Sequence, residues 1–195
     1  GIIKKTDLKS FGKIRSSGIC AITVRENDNI LDAKLVEKND HIIMASRNGK
    51  AIRFPQEEVR AMGRAASGVI GMTLEKENFV VGLEVVKGEN ENLLVVSEKG
   101  FGKQSDIDDY RITHRSGKGV LTLNITNKTG SLVTIKSVKK NDQFMIINKS
   151  GIVIRLKTSD LRISGRSTQG VKLINLQKDD QISSVAKIEN IIEED

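Results

Sequence analysis

The sequence predicts an all-β chain of about four similar four-stranded units, each about 50 residues long and set radially like the blades of a propeller-like disc. Three observations carry that expectation: a repeated glycine beat, strand-turn-strand patterns at the same interval, and a repeated phrase that follows each second glycine.

The beat comes first, because self-similarity at a fixed period organises everything else. "MGRAASGVIGMTL" at 62–74 returns as "SGRSTQGVKLINL" at 164–176. Gly18, Gly68, Gly119 and Gly170 are separated by 50, 51 and 51 residues, and Gly1, Gly49, Gly100 and Gly151 by 48, 51 and 51. Around the second set lie "HIIMASRNGKAIRF" (41–54), "NLLVVSEKGFGKQ" (92–104) and "QFMIINKSGIVIRL" (143–156), each read as strand, turn, strand. Asn48-Gly49 is the strongest hairpin signal, expected as a tight turn with positive φ at both central residues. After the first set, apolar residues recur at offsets one, four and six: Val69, Met72, Leu74; Val120, Leu123, Ile125; Val171, Ile174, Leu176. A fourth strand is expected in "ILDAKLV", "VVGLEVV", "SLVTIKSV" and "ISSVAKI". A lone sheet of this kind cannot cover its own apolar faces, so the units must stack on one another. Gly1 opens in mid-hairpin, so one strand of the first unit is absent or supplied from elsewhere.

Composition narrows the function classes. The chain has 195 residues, enough for one large β domain or two small ones. No run approaches the roughly 18–20 apolar residues of a membrane span, and "GIIKKTDLKS" has no signal-peptide core, so a soluble intracellular protein is expected. The first residue is Gly1 rather than Met, as in a processed or excised chain. The single cysteine, Cys20 between Ile19 and Ala21, excludes an internal disulfide and reads as a core residue. Thirty-two Lys and Arg against 25 Asp and Glu give a net charge of +7, and Glu189, Glu193, Glu194 and Asp195 set an acidic tail (189–195) apart from a still more basic body (1–188). A basic body favours a polyanionic partner. Aromatic residues make up only 3%, with no Trp and one Tyr, which disfavours stacking platforms for single strands.

The charge is patterned. Arg60, Arg111 and Arg162 stand eight residues before the second glycine, and Arg64, Arg115 and Arg166 four before it. Four past the hairpin glycine stand Lys5, Arg53 and Arg155, with Gln104 the exception and Lys103 beside it; Lys4 flanks Lys5, and Arg15 stands near the place of Arg64. Stacked units place equivalent residues at equivalent points, so these columns imply a spatial track of cations that suits a duplex backbone. Phosphate contacts of this kind position a duplex without reading its bases. The competing reading pairs each arginine with a carboxylate between blades, although no acid recurs at a matched column.

No catalytic constellation is legible. His41 and His114 lack metal-ligand spacing, His41 reads as structural, and "GFGKQS" has the spacing of neither nucleotide motif. Tyr110, in "DIDDYRITHRSGKG", reads as a packing residue rather than a nucleophile.

"AIRFPQEEVRAMGRAASGVIGMTL", "GFGKQSDIDDYRITHRSGKGVLTL" and "GIVIRLKTSDLRISGRSTQGVKLINL" resemble successive blades of the C-terminal domain of bacterial DNA gyrase A, a likeness that runs in order to about Ile188. The resemblance implies a β-pinwheel, whose blades exchange strands, covering roughly the last four of about six blades. It implies a non-catalytic domain that wraps duplex DNA around a basic rim and presents it for ATP-dependent negative supercoiling. No cofactor is implied in this fragment; ATP and Mg²⁺ would be used by the rest of the enzyme. The partners implied are duplex DNA, the remainder of gyrase A, and gyrase B, with no membrane, a monomeric fragment, and a cytoplasmic, nucleoid-associated location. The DNA-binding residues expected are Lys4, Lys5, Arg15, Lys50, Arg53, Arg60, Arg64, Lys103, Arg111, Arg115, Lys118, Arg155, Arg162, Arg166 and Lys172. The family's box, QRRGGKG, has no copy here; "THRSGKG" (113–119) keeps Arg115, Gly117, Lys118 and Gly119 of it. That departure leaves the corresponding C-terminal domain of topoisomerase IV open as an alternative, beside a propeller-type protein-interaction module.

Overall fold

The computed structural model describes residues 1–13, 16–88 and 90–188; Arg15 and the acidic tail lie outside them. Strands β1 (Ile2–Ile3), β2 (His41–Ser46), β3 (Lys50–Pro55), β4 (Val69–Ile70) and β5 (Val80–Val86) come first. They are followed by β6 (Asn92–Ser97), β7 (Phe101–Asp106), β8 (Val120–Leu121) and β9 (Leu132–Val138), and then by β10 (Gln143–Asn148), β11 (Val153–Lys157), β12 (Val171–Lys172) and β13 (Ile182–Ile188). Among the described residues the only helical pieces are short 3₁₀ turns, so none is long and apolar enough to cross a membrane.

Each long hairpin is antiparallel, and the next long strand returns to pair with its first member: β2 with β3 and β5, β6 with β7 and β9, β10 with β11 and β13. The two middle sheets are four-stranded, their fourth member coming from the following unit, while the last sheet has three described strands and the first has two. β8 pairs with β3, β12 with β7, and β4 with β1. Each of these three short strands is lent by its own unit to the sheet before it.

Burial follows from this stacking. β2 and β6 have both faces covered and read as continuous apolar runs, whereas β11, in the last sheet, alternates between exposed and half-buried. Three apolar clusters fill the gaps between successive sheets. Ile42, Met44 and Phe54 meet the first unit; Ile43, Leu93, Val95, Leu123 and Ile135 lie between the middle two; Leu94, Phe144, Ile146 and Ile174 lie between the last two. β5, β9 and β13 pack side by side as the inner strands, so the hairpins and lent strands form the outer edge.

The second glycine of each unit is what brings the lent strand home. Gly119 has φ +75°, and a Cβ there would come within 2.6 Å of the Ala51 carbonyl oxygen in the preceding sheet. Gly68 and Gly170 stand in the same relation to Ile3 and Gly102. A side chain would meet both a backbone it rarely adopts and a strand with no room to move.

Three expectations need correction. "ILDAKLV" forms no strand: Ile30, Leu31 and Leu35 are exposed, because among the described residues no strand of its unit corresponds to β2 and pairs with it. Cys20 is exposed rather than core for the matching reason. Its segment aligns with the lent strands β4, β8 and β12, and among the described residues no sheet receives it. The Asn48-Gly49 turn is a three-residue loop in which only Gly49 takes positive φ (+79°), with Gly49 N–H donating to the Ser46 carbonyl at 2.9 Å. That is the loop a glycine bulge closes, so Asn48 need not leave the ordinary region.

Candidate nucleic-acid interface

The cations predicted for the rim divide into two populations. The first is bound up in the joints between blades. Three of the 3₁₀ turns are closed by a backbone bond to their first carbonyl, from Val59 N–H to Gln56, Tyr110 N–H to Ile107 and Leu161 N–H to Thr158 at 3.1 Å each, and the residue four past the preceding hairpin glycine donates to the second lone pair of that same carbonyl. Lys5 Nζ donates to the Gln56 carbonyl at 2.9 Å. Arg53 Nη1 donates to the Ile107 carbonyl at 2.9 Å, the Tyr110 carbonyl at 3.4 Å and Asp108 at 3.2 Å. Gln104 Nε2 donates to the Thr158 carbonyl at 2.8 Å and to that of Leu161. The same turn is thus gripped in three successive junctions.

Arg53 is only 8% exposed and Lys103 1%. These two side chains face the next blade instead of solvent. Lys103 Nζ donates to the Gly165 carbonyl at 2.7 Å and to Thr168 Oγ1 at 3.2 Å, and burial pulls its pKa down to about 8. Lys4 does the same in the first unit, donating to the carbonyls of Ala21 and Arg64 at 2.5 Å each, and burial lowers its pKa as well. Arg115 and Arg166 latch the lent strands. Arg115 Nη1 donates to the Ile70 carbonyl at 2.8 Å and its Nε to the Glu58 carbonyl at 3.1 Å, while Arg166 Nη1 donates to the Leu121 carbonyl at 3.1 Å.

His41 accepts from Arg53 Nη2 at Nδ1, 3.2 Å away; burial and that guanidinium push its pKa down, in keeping with a structural imidazole. Tyr110 is 1% exposed, its hydroxyl 2.5 Å from Thr122 Oγ1, and burial raises its pKa.

The second population is open to solvent. Arg60, Arg111 and Arg162 are exposed, and their guanidinium groups make no hydrogen bond or ion pair with other described residues. The residues after them, Ala61, Ile112 and Ile163, form parallel bridges to Lys5, Arg53 and Gln104, which fixes all three arginines at equivalent points on the outer edge. Lys118, just before the lent strand β8, and Lys172, within the lent strand β12, are exposed. Lys50 is half-buried and 2.5 Å from Glu75, whose carboxyl it holds below its usual range. Arg155 is exposed, its Nε donating to Gln143 at 2.6 Å. Arg64 is half-buried.

The sequence therefore displays the charge columns but not the backbone acceptors. One signal of them was present in Gln104: a neutral amide in the Arg53 column shares hydrogen-bond donors with arginine, not charge.

Antiparallel sheets of up to four strands that exchange their outer strands around a common inner edge, with a repeated arginine on the rim, define a β-pinwheel. The model of the DNA gyrase C-terminal domain, a β-propeller, matches residues 1–37, 40–87, 91–139 and 142–189, and the chain belongs to that family. It is 42% identical to the DNA gyrase A of Deinococcus deserti over 192 residues and 43% identical to that of Ureaplasma parvum over 186. These alignments take in 96% and 95% of the chain but 24% and 22% of the relatives, so the chain spans about a quarter of their length. A solved structure of a DNA gyrase A C-terminal domain superposes with a TM-score of 0.87 at 27% identity, covering 97% of this chain and 63% of that one. The C-terminal domain of a DNA topoisomerase IV superposes at 0.91 with 24% identity, covering 97% and 59%, a likeness of fold.

Proposed function

We propose that this chain is a duplex-DNA-binding domain of a DNA gyrase A, bending DNA around its outer edge and presenting it to the rest of a type IIA topoisomerase. The observation that carries this reading is the column Arg60, Arg111 and Arg162, three exposed guanidinium groups that bond no other described residue, at equivalent points of successive blades. Lys118 and Lys172 extend the same edge. A duplex laid along it would meet one phosphate-binding arginine per blade. Such binding is strong in charge, weak in sequence preference, and favours a bent path, because curvature brings further phosphates onto further blades. Strand cleavage, ATP hydrolysis and Mg²⁺ binding belong in this reading to the remainder of gyrase A and to gyrase B, in the bacterial cytoplasm at the nucleoid.

Exchanging Arg60, Arg111 and Arg162 together for Glu tests the reading. Retention of a duplex at low salt should be lost while the melting temperature stays within a few degrees of the parent, since these guanidinium groups bond to no other described residue. Undiminished retention would remove the arginine column from the interface.

A further inference from the structure

Ile112 and Ile163 are 53% and 58% exposed, and each follows directly on one of the free arginines. They are not loosely held. Their backbones bridge Arg53 and Gln104, and the next residues, Thr113 and Ser164, donate their N–H groups to the carbonyls of Arg53 and Gln104, both at 2.9 Å. β-Branching stiffens the side chain itself. Each of these two blade junctions thus holds out a rigid apolar knob beside an exposed guanidinium, at the same place twice. The third such place carries Ala61 beside Arg60.

An apolar group flanked by cations matches the minor groove of a duplex, whose deoxyribose walls offer C–H surface and whose borders are phosphates. We infer that Ile112 and Ile163 pack against those deoxyribose walls while Arg111 and Arg162 hold the bordering phosphates. The inference rests on the DNA-binding reading above. It gives the interface a component that salt does not weaken, since burial of apolar surface releases no counterions. It also favours flexible pyrimidine–purine steps, where the groove opens at least cost.

The test compares the parent, Ile112→Ala/Ile163→Ala, Ala61→Ile and the triple arginine-to-glutamate variant. Each is titrated with one duplex rich in TA steps and one rich in G·C pairs, across a salt series. The double alanine variant should bind the TA-rich duplex about tenfold more weakly at every salt concentration. Its slope of log K against log salt should stay that of the parent, and its preference between the two duplexes should disappear. Ala61→Ile should bind more tightly, a gain that misfolding cannot imitate. Unchanged affinity in both isoleucine-site variants, or a flattened salt slope in the double alanine variant, overturns the inference. If the triple arginine variant loses binding in that case, the rim reading survives alone; if the parent itself retains no duplex, both fall.

Discussion

Arg53 and Gln104, 51 residues apart, make the same contact: each reaches from the outer hairpin of one blade to the carbonyls that close the 3₁₀ turn of the next. What the two share is N–H donors delivered to buried backbone oxygens; the charge of Arg53 adds only an ion pair to the exposed Asp108 at 3.2 Å.

Arg53→Gln should therefore be tolerated and Arg53→Met should not. Methionine fills much of the volume but leaves the Tyr110 carbonyl without its side-chain donor, while Ile107 keeps the backbone bond from Tyr110 N–H, a loss of about 1–3 kcal/mol for the one buried group. Chemical denaturation of the two variants checks this; equal midpoints would mean that the clamp contributes only packing.

Lys103 makes stability depend on pH in the alkaline range. Its pKa in the folded chain is about 8, against 10.5 for an ordinary lysine, so between these values the unfolded chain holds a proton that the folded chain has released. Stability from this site therefore rises with pH from about 8 toward 10.5. Relative to Lys103→Met, which cannot titrate, the parent's melting temperature should climb across that window. A constant difference would show that the ammonium is solvated.

Gly119→Ala should destabilise the chain by about 2–4 kcal/mol, combining the left-handed backbone at φ +75° with the approach to the Ala51 carbonyl. The effect should be read as earlier loss of amide protection in β3 and β8, the two strands this glycine brings together. Uniform protection loss across all blades would contradict so local a role.

Tyr110 is the only tyrosine, and there is no tryptophan. Its buried hydroxyl should ionise above the usual range near 10, so phenolate absorbance in alkaline titration should appear together with unfolding. Ionisation of the folded chain at the ordinary value would place the ring in solvent.

The glycine beat made the fold legible because it marks positions that geometry reserves: Gly68, Gly119 and Gly170 each sit against a neighbouring strand at positive φ. The hairpins were legible from apolar runs that bury two faces. "ILDAKLV" was not, because a strand is defined by its partner, and three relatives of that segment (β5, β9 and β13) have one where it has none among the described residues. Cys20 misled for the same reason. Of the cation columns, the sequence displayed the spacing but not the acceptor: backbone carbonyls leave no mark on it, so Arg53, Lys103, Arg115 and Arg166 looked like Arg60, Arg111 and Arg162. Only the fold separates joints from rim.

A duplex that follows the outer edge from blade to blade must gain contacts as it lengthens and release counterions as it binds. Titrating the chain with duplexes of increasing length across a salt series reads both at once. Affinity should grow with length up to a limit, and log K should fall with log salt at about −0.9 per phosphate neutralised, for roughly five to ten phosphates. Weak binding that is indifferent to both length and salt would contradict a path along the rim.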